Sequence, residues 1–122
     1  MDIVIEVGNT RLQCLFNSSG TSRAICDALP LTSHASLWGD EVYFRIPVRR
    51  DREPGARTHL EAGDIAFWPD GNALCVFFGP TPASQGSDPV AASPVNLVGR
   101  VMKGLGELAQ ARPGDPIVVK RA

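Results

Sequence analysis

The stretch from Gly63 to Pro82, GDIAFWPDGNALCVFFGPTP, limits the fold more than any other part of the chain, because it sets two apolar runs around a Pro-Asp-Gly-Asn turn. Pro69 fixes its own φ and Gly71 supplies the expected left-handed residue, so residues 65–68 and 73–78 are predicted to fold back on each other as a β-hairpin. The second run is apolar at every position. A strand of that kind needs cover on both faces, a core on one side and another surface on the other.

The rest of the chain supplies strands to pair with this hairpin. In residues 3–7, Ile3, Ile5 and Val7 alternate with Val4 and Glu6; after a Gly8-Asn9 turn, residues 11–16 put Leu12, Cys14 and Phe16 on one face. Thr21 or Ser22 is placed to cap a short helix carrying Ile25, Ala28 and Leu29, which Pro30 ends. Residues 31–38 read as one strand. Across Gly39-Asp40, residues 41–46 read as another, with Val42, Phe44 and Ile46 opposed to Glu41, Tyr43 and Arg45. The carboxylates of Asp40-Glu41 and Glu61-Asp64 sit beside glycines and are accounted for by turns.

Arg49, Arg50, Asp51, Arg52, Glu53 and Arg57 surround Pro54-Gly55 with mixed sign, the composition of a solvated loop. Residues 81–94, rich in Pro, Ser, Gly and Ala, read as a long mobile loop forming a lid or rim. Residues 95–102 return to strand, 105–111 form a short helix and 117–121 a last strand. Some eight short strands with tight turns and two short helices predict a mainly β fold, a β-barrel whose helices close its open ends, in a single domain spanning 1–122.

A formal net charge of −1 lacks the basic surplus that nucleic acid or an anionic membrane surface would require. The longest apolar run, residues 73–78, is far short of the ~20 residues of a membrane-spanning helix. The opening MDIVIEV carries an early acid and alternates, so no secretory leader is expected. Cys14, Cys26 and Cys75 are odd in number, far apart and set among apolar neighbours; buried thiols and a reducing cytoplasm are the expectation. His34 and His59 have no partners at metal-ligand spacing, Gly104-Leu105-Gly106 lacks the context of a dinucleotide site, and neither metal nor cofactor is expected.

Four segments, LWGDEVYF at 37–44, GDIAFWP at 63–69, GNALCVFFGPTP at 71–82 and PVNLVG at 94–99, resemble those of the small cyclophilin-like proteins of bacteria and archaea, a family of largely undefined function. The resemblance spans almost the whole chain and implies a closed eight-stranded antiparallel β-barrel capped by helices. It also raises peptidyl-prolyl isomerisation, in which the ~18–20 kcal/mol amide barrier is lowered by an apolar proline pocket and a guanidinium aimed at the imide nitrogen.

By this resemblance Arg45 stands where cyclophilins carry the catalytic arginine and Phe77 where they carry a pocket phenylalanine. Cys75 replaces a glutamine and Val95 a histidine, and the aromatic residue and second glutamine that follow the arginine are missing. A binding module therefore ranks above an isomerase. Its apolar groove is expected to be lined by Tyr43, Arg45, Trp68, Cys75 and Phe77 and to take a proline-containing peptide or a small carboxylate paired with Arg45. Weak prolyl isomerisation and a non-catalytic subunit or homo-oligomer are the alternatives.

Overall fold

A computed structural model describes residues 1–122. It is mainly antiparallel β-sheet, and the order of elements follows the predicted order closely. The strands are β1 (Asp2–Val7), β2 (Thr10–Phe16), β3 (Leu31–His34), β4 (Ser36–Leu37), β5 (Glu41–Arg45), β6 (Arg57–His59), β7 (Asp64–Trp68), β8 (Ala73–Phe77), β9 (Val90–Lys103) and β10 (Pro116–Arg121). One α-helix, α1 (Gly20–Asp27), and two 3₁₀ turns, Pro69–Gly71 and Leu105–Gln110, complete the chain.

The expected closed eight-stranded barrel does not form. Ten strands are present, hydrogen-bonded in the order β3-β10-β1-β2-β9-β7-β8-β5-β4, with β6 pairing β9 off this path, and the ladder does not close. The cause lies at residues 31–38, predicted as one strand. The stretch breaks at Ala35, whose N–H donates to Asp115 O and whose carbonyl accepts from Gly114 N. Both backbone groups of Ala35 are thus used by the turn before β10. The halves on either side go to opposite ends of the ladder, β3 onto β10 and β4 onto β5. The additional strand β6, Arg57–His59, has too few apolar residues to announce itself and pairs only with β9.

The predicted hairpin of β7 and β8 forms, with Ile65 opposite Val76 and Trp68 opposite Ala73, but its turn differs. Asn72, at φ 49°, is the left-handed residue, and Gly71 is not. Asparagine tolerates that region better than other residues with a Cβ. All five residues of β8 are buried. Leu74 and Val76 face the main core with Ile65, Phe67, Val42 and Phe44, while Cys75 and Phe77 face a second, smaller cluster with Leu60, Ala66, Ala91 and Val95. The double burial expected of that strand is therefore realised by two cores, one on each face.

Helix α1 is capped not by Thr21 or Ser22 but just before them, by Ser19, whose hydroxyl accepts from Ser22 N. Its Ile25 and Cys26 plug the main core. Thr21 and Asn96 then tie down the charged loop: Glu53 Oε2 accepts from the N–H and hydroxyl of Thr21, and the Asn96 amide accepts from Glu53 N and donates to Asp51 O. Arg49, Arg50, Asp51 and Arg52 stay exposed as expected. The predicted long loop at 81–94 is shorter, because β9 begins at Val90; Thr81 is buried and donates to Val90 O, which ties the loop to the sheet. No helix is long and apolar enough to cross a membrane.

Candidate functional site

The outer face of β5, β8 and β7 carries large and small side chains in a pattern that leaves a pocket. Strand β8, in the middle, contributes Ala73 and Cys75 to this face, and β7 contributes Ala66 opposite Cys75. Over these small residues lean Tyr43, opposite Cys75 on β5, and Trp68, opposite Ala73 on β7. Their rings meet edge to face, with centroids 6.2 Å apart and planes at 83°. Beside this pair is a pocket of about 200 Å³ lined by Trp38, Glu41, Tyr43, Trp68, Cys75, Ala91, Ala92 and Val95. Glu41, Cys75, Ala91 and Val95 are buried and form its floor, and the three aromatic residues are half-buried at its sides.

Local structure fixes each wall. The Trp68 indole N–H donates to Ser93 Oγ at 2.6 Å, and Ser93 donates in turn to Asp70 at 2.8 Å, which pairs with Arg52 at 3.2 Å. The ring lies directly on Gly71, where a Cβ would come within 2.4 Å of two ring carbons. Gly71 is therefore required for close approach of the indole. Gly71→Ala is expected to displace the ring, break the Trp68–Ser93 bond and lower stability by about 1–3 kcal/mol, the usual cost of overpacking. A shift of the indole N–H resonance together with a lower urea midpoint would show both effects.

Trp38 and Glu41 are brought side by side by a tight turn. The N–H of each donates to the carbonyl of the other, with Gly39 (φ 58°) and Asp40 between them. The turn is docked on the 78–82 segment through Asp40 N to Pro80 O and Phe78 N to Asp40 O. This geometry turns Glu41 into the sheet face, where it is only 6% exposed. No hydroxyl, N–H or cation of the protein bonds its carboxyl; the Cys75 thiol is its one donor. Burial pushes the carboxyl from 4.5 up to about 7, and the thiol lowers it by less. Burial, then the neighbouring Glu41 charge and hydrogen bond, pushes the Cys75 thiol well above its ordinary value. Cys75 is thus a protonated donor, not a nucleophile.

Of the five residues expected at the groove, Tyr43, Trp68 and Cys75 line the pocket and two do not. Phe77 is wholly buried behind the floor in the second core. Arg45 is exposed, two residues along β5 from Tyr43 and opposite Ala73, and its side chain is not among the lining. Sequence reasoning missed Glu41, assigned to turn formation, and the small residues Ala91 and Ala92, assigned to a loop. The alternation of Glu41, Tyr43 and Arg45 on one strand face was a signal for Glu41. Val95, standing where the resemblance implied a replaced histidine, does line the pocket.

No curated protein matches the chain at a significant level. Among solved structures, the solution structure of the hypothetical protein AF2241 from Archaeoglobus fulgidus is similar over 100% of this chain and 95% of that one, at 38% identity and a TM-score of 0.83. The family model described as Cyclophilin-like matches residues 1–120. With nearly the whole length matched, the chain belongs to the Cyclophilin-like family.

Proposed function

We propose that the protein is a binding module that holds one small apolar group of a short peptide or small molecule between Trp38, Tyr43 and Trp68. The observation that carries this reading is the pocket itself: aromatic sides, a buried floor, and no part of the 78–89 segment lying in it. Rings held at fixed angles by a glycine contact and an indole hydrogen bond form a preorganised surface, and preorganisation lowers the entropic cost of binding. A volume of about 200 Å³ admits a group the size of one side chain. It is below the roughly 300–1,000 Å³ of sites for drug-sized ligands.

A carboxylate ligand fits less well, because the charged residue lining the pocket is the acid Glu41 and not Arg45. Prolyl isomerisation is disfavoured on the same geometry, since it would need the Arg45 guanidinium at the bound imide. A panel of short proline-containing and other apolar peptides, small carboxylates and small amines, followed by amide chemical shifts, tests the reading. Perturbations are expected to cluster on Trp38, Tyr43, Trp68 and Ala91. Trp68→Ala is expected to weaken any such binding at least tenfold. Shifts elsewhere, or none with any of the panel, would sink the proposal.

A further inference from the structure

Seven of the eight residues lining the pocket are hydrophobic and the eighth is Glu41, a residue only 6% exposed whose carboxyl has no cationic or N–H partner in the protein. A buried carboxylate without such a partner is unfavourable, and a ligand that brings a positive charge removes the penalty. Aromatic faces attract cations as well, tryptophan most strongly, when the charge sits within about 6 Å of the ring centroid. Here Tyr43 and Trp68 stand at 83° to one another beside the acid, and Trp38 adjoins it across the Gly39-Asp40 turn.

We infer that the pocket binds an organic cation, a tertiary or quaternary alkylammonium group, with Trp38, Tyr43 and Trp68 around its methyl groups and the Glu41 carboxylate as counter-ion. This rests on the reading of the pocket as a binding site and names the ligand chemistry within it. The walls distinguish among cations. A primary ammonium carries three N–H donors, and the lining offers one carboxyl and little else to accept them. A methylated ammonium presents charge with apolar surface and few or no donors, which matches seven hydrophobic lining residues and one acid.

The carboxyl sits near neutrality in the absence of ligand, raised to about 7 by burial. A bound cation stabilises its ionised form, so binding releases a proton at and below neutral pH. The titratable groups facing Glu41 are Cys75 from β8 and Tyr43 from its own strand; β7 and β9 present Trp68, Ala91, Ala92 and Val95, none of which titrates. The pH dependence of binding is therefore expected to follow one group.

The test compares choline with its uncharged analogue, in which a tert-butyl group replaces trimethylammonium, on the unmodified protein by calorimetry and amide shifts. Choline is expected to bind at least tenfold more tightly than the analogue, with its affinity rising from about pH 6 to pH 8. Glu41→Gln is expected to abolish the difference between the two compounds. Equal binding of the two compounds, with shifts at Trp38, Tyr43 and Trp68, would overturn the cation and leave the binding module standing. Absence of binding by both, and by the peptide and small-molecule panel, would overturn both readings. Because the comparison is between ligands on one protein, it does not depend on any variant folding.

Discussion

Phe77→Ala is expected to lower the stability of the protein by about 3–5 kcal/mol, whereas Arg45→Ala is expected to change it by no more than about 0.5 kcal/mol. Phe77 is fully buried and fills the second core with Leu60, Ala66, Cys75, Ala91 and Val95, so its removal leaves a cavity immediately behind the pocket floor. The surrounding strands cannot collapse into that cavity, because β8 is held by β5 on one side and β7 on the other. Urea unfolding at constant slope would report the difference as a shift in midpoint alone. The pair separates two roles that the family resemblance assigns together. A loss of several kcal/mol at Arg45, or near-neutrality at Phe77, would mean that the two-core account of β8 is wrong.

That pair also shows how far the sequence could be read. Alternation on β5 correctly put Tyr43 and Arg45 on the outer face, and the continuous apolar run of β8 correctly required cover on both sides. What alternation cannot give is lateral position. Arg45 and Tyr43 share a face, yet only Tyr43 stands over Cys75, where the pocket opens; Arg45 stands one pair further along, over Ala73. The barrel was overestimated for a related reason. Residues 31–38 have the composition of one strand, and the break at Ala35 comes from hydrogen bonds to residues nearly eighty positions away. Ala91 and Ala92 were hidden by composition: a strand of small residues is indistinguishable from a loop until β6 is seen to pair along it.

Glu41 was visible as an alternating acid, but its burial is set by the Trp38–Glu41 turn docking on residues 78–82, a tertiary contact. Turn chemistry alone explains Gly39 and Asp40 and needs no acid after them. A buried carboxyl with one thiol donor is a poor choice for stability, and proteins keep such residues where a site needs them.

The size of that cost is itself a prediction. In the unfolded chain the Glu41 carboxyl ionises near 4.5, and in the folded protein near 7. Between those values the folded state holds the proton that the unfolded state has lost, so stability falls as pH rises from 4.5 through 7 and levels off above. Each pH unit separating the two ionisations costs about 1.4 kcal/mol, so the loss above neutrality amounts to roughly 3 kcal/mol. Glu41→Gln keeps the shape and removes the charge, so the variant is expected to match the unmodified protein near about pH 4 and to exceed its stability by roughly 3 kcal/mol near about pH 8. Asp64, held by Arg100, and the exposed acids are the same in both proteins, and taking the difference cancels them. Cys75, pushed upward by burial and by Glu41, stays protonated across the range and adds no slope. Urea midpoints of the two proteins that stay parallel across the range would show that the carboxyl is solvated or paired in solution, and would remove the basis for a cation in the pocket. A widening difference that closes again when choline is added would tie the cost of Glu41 to the ligand it serves.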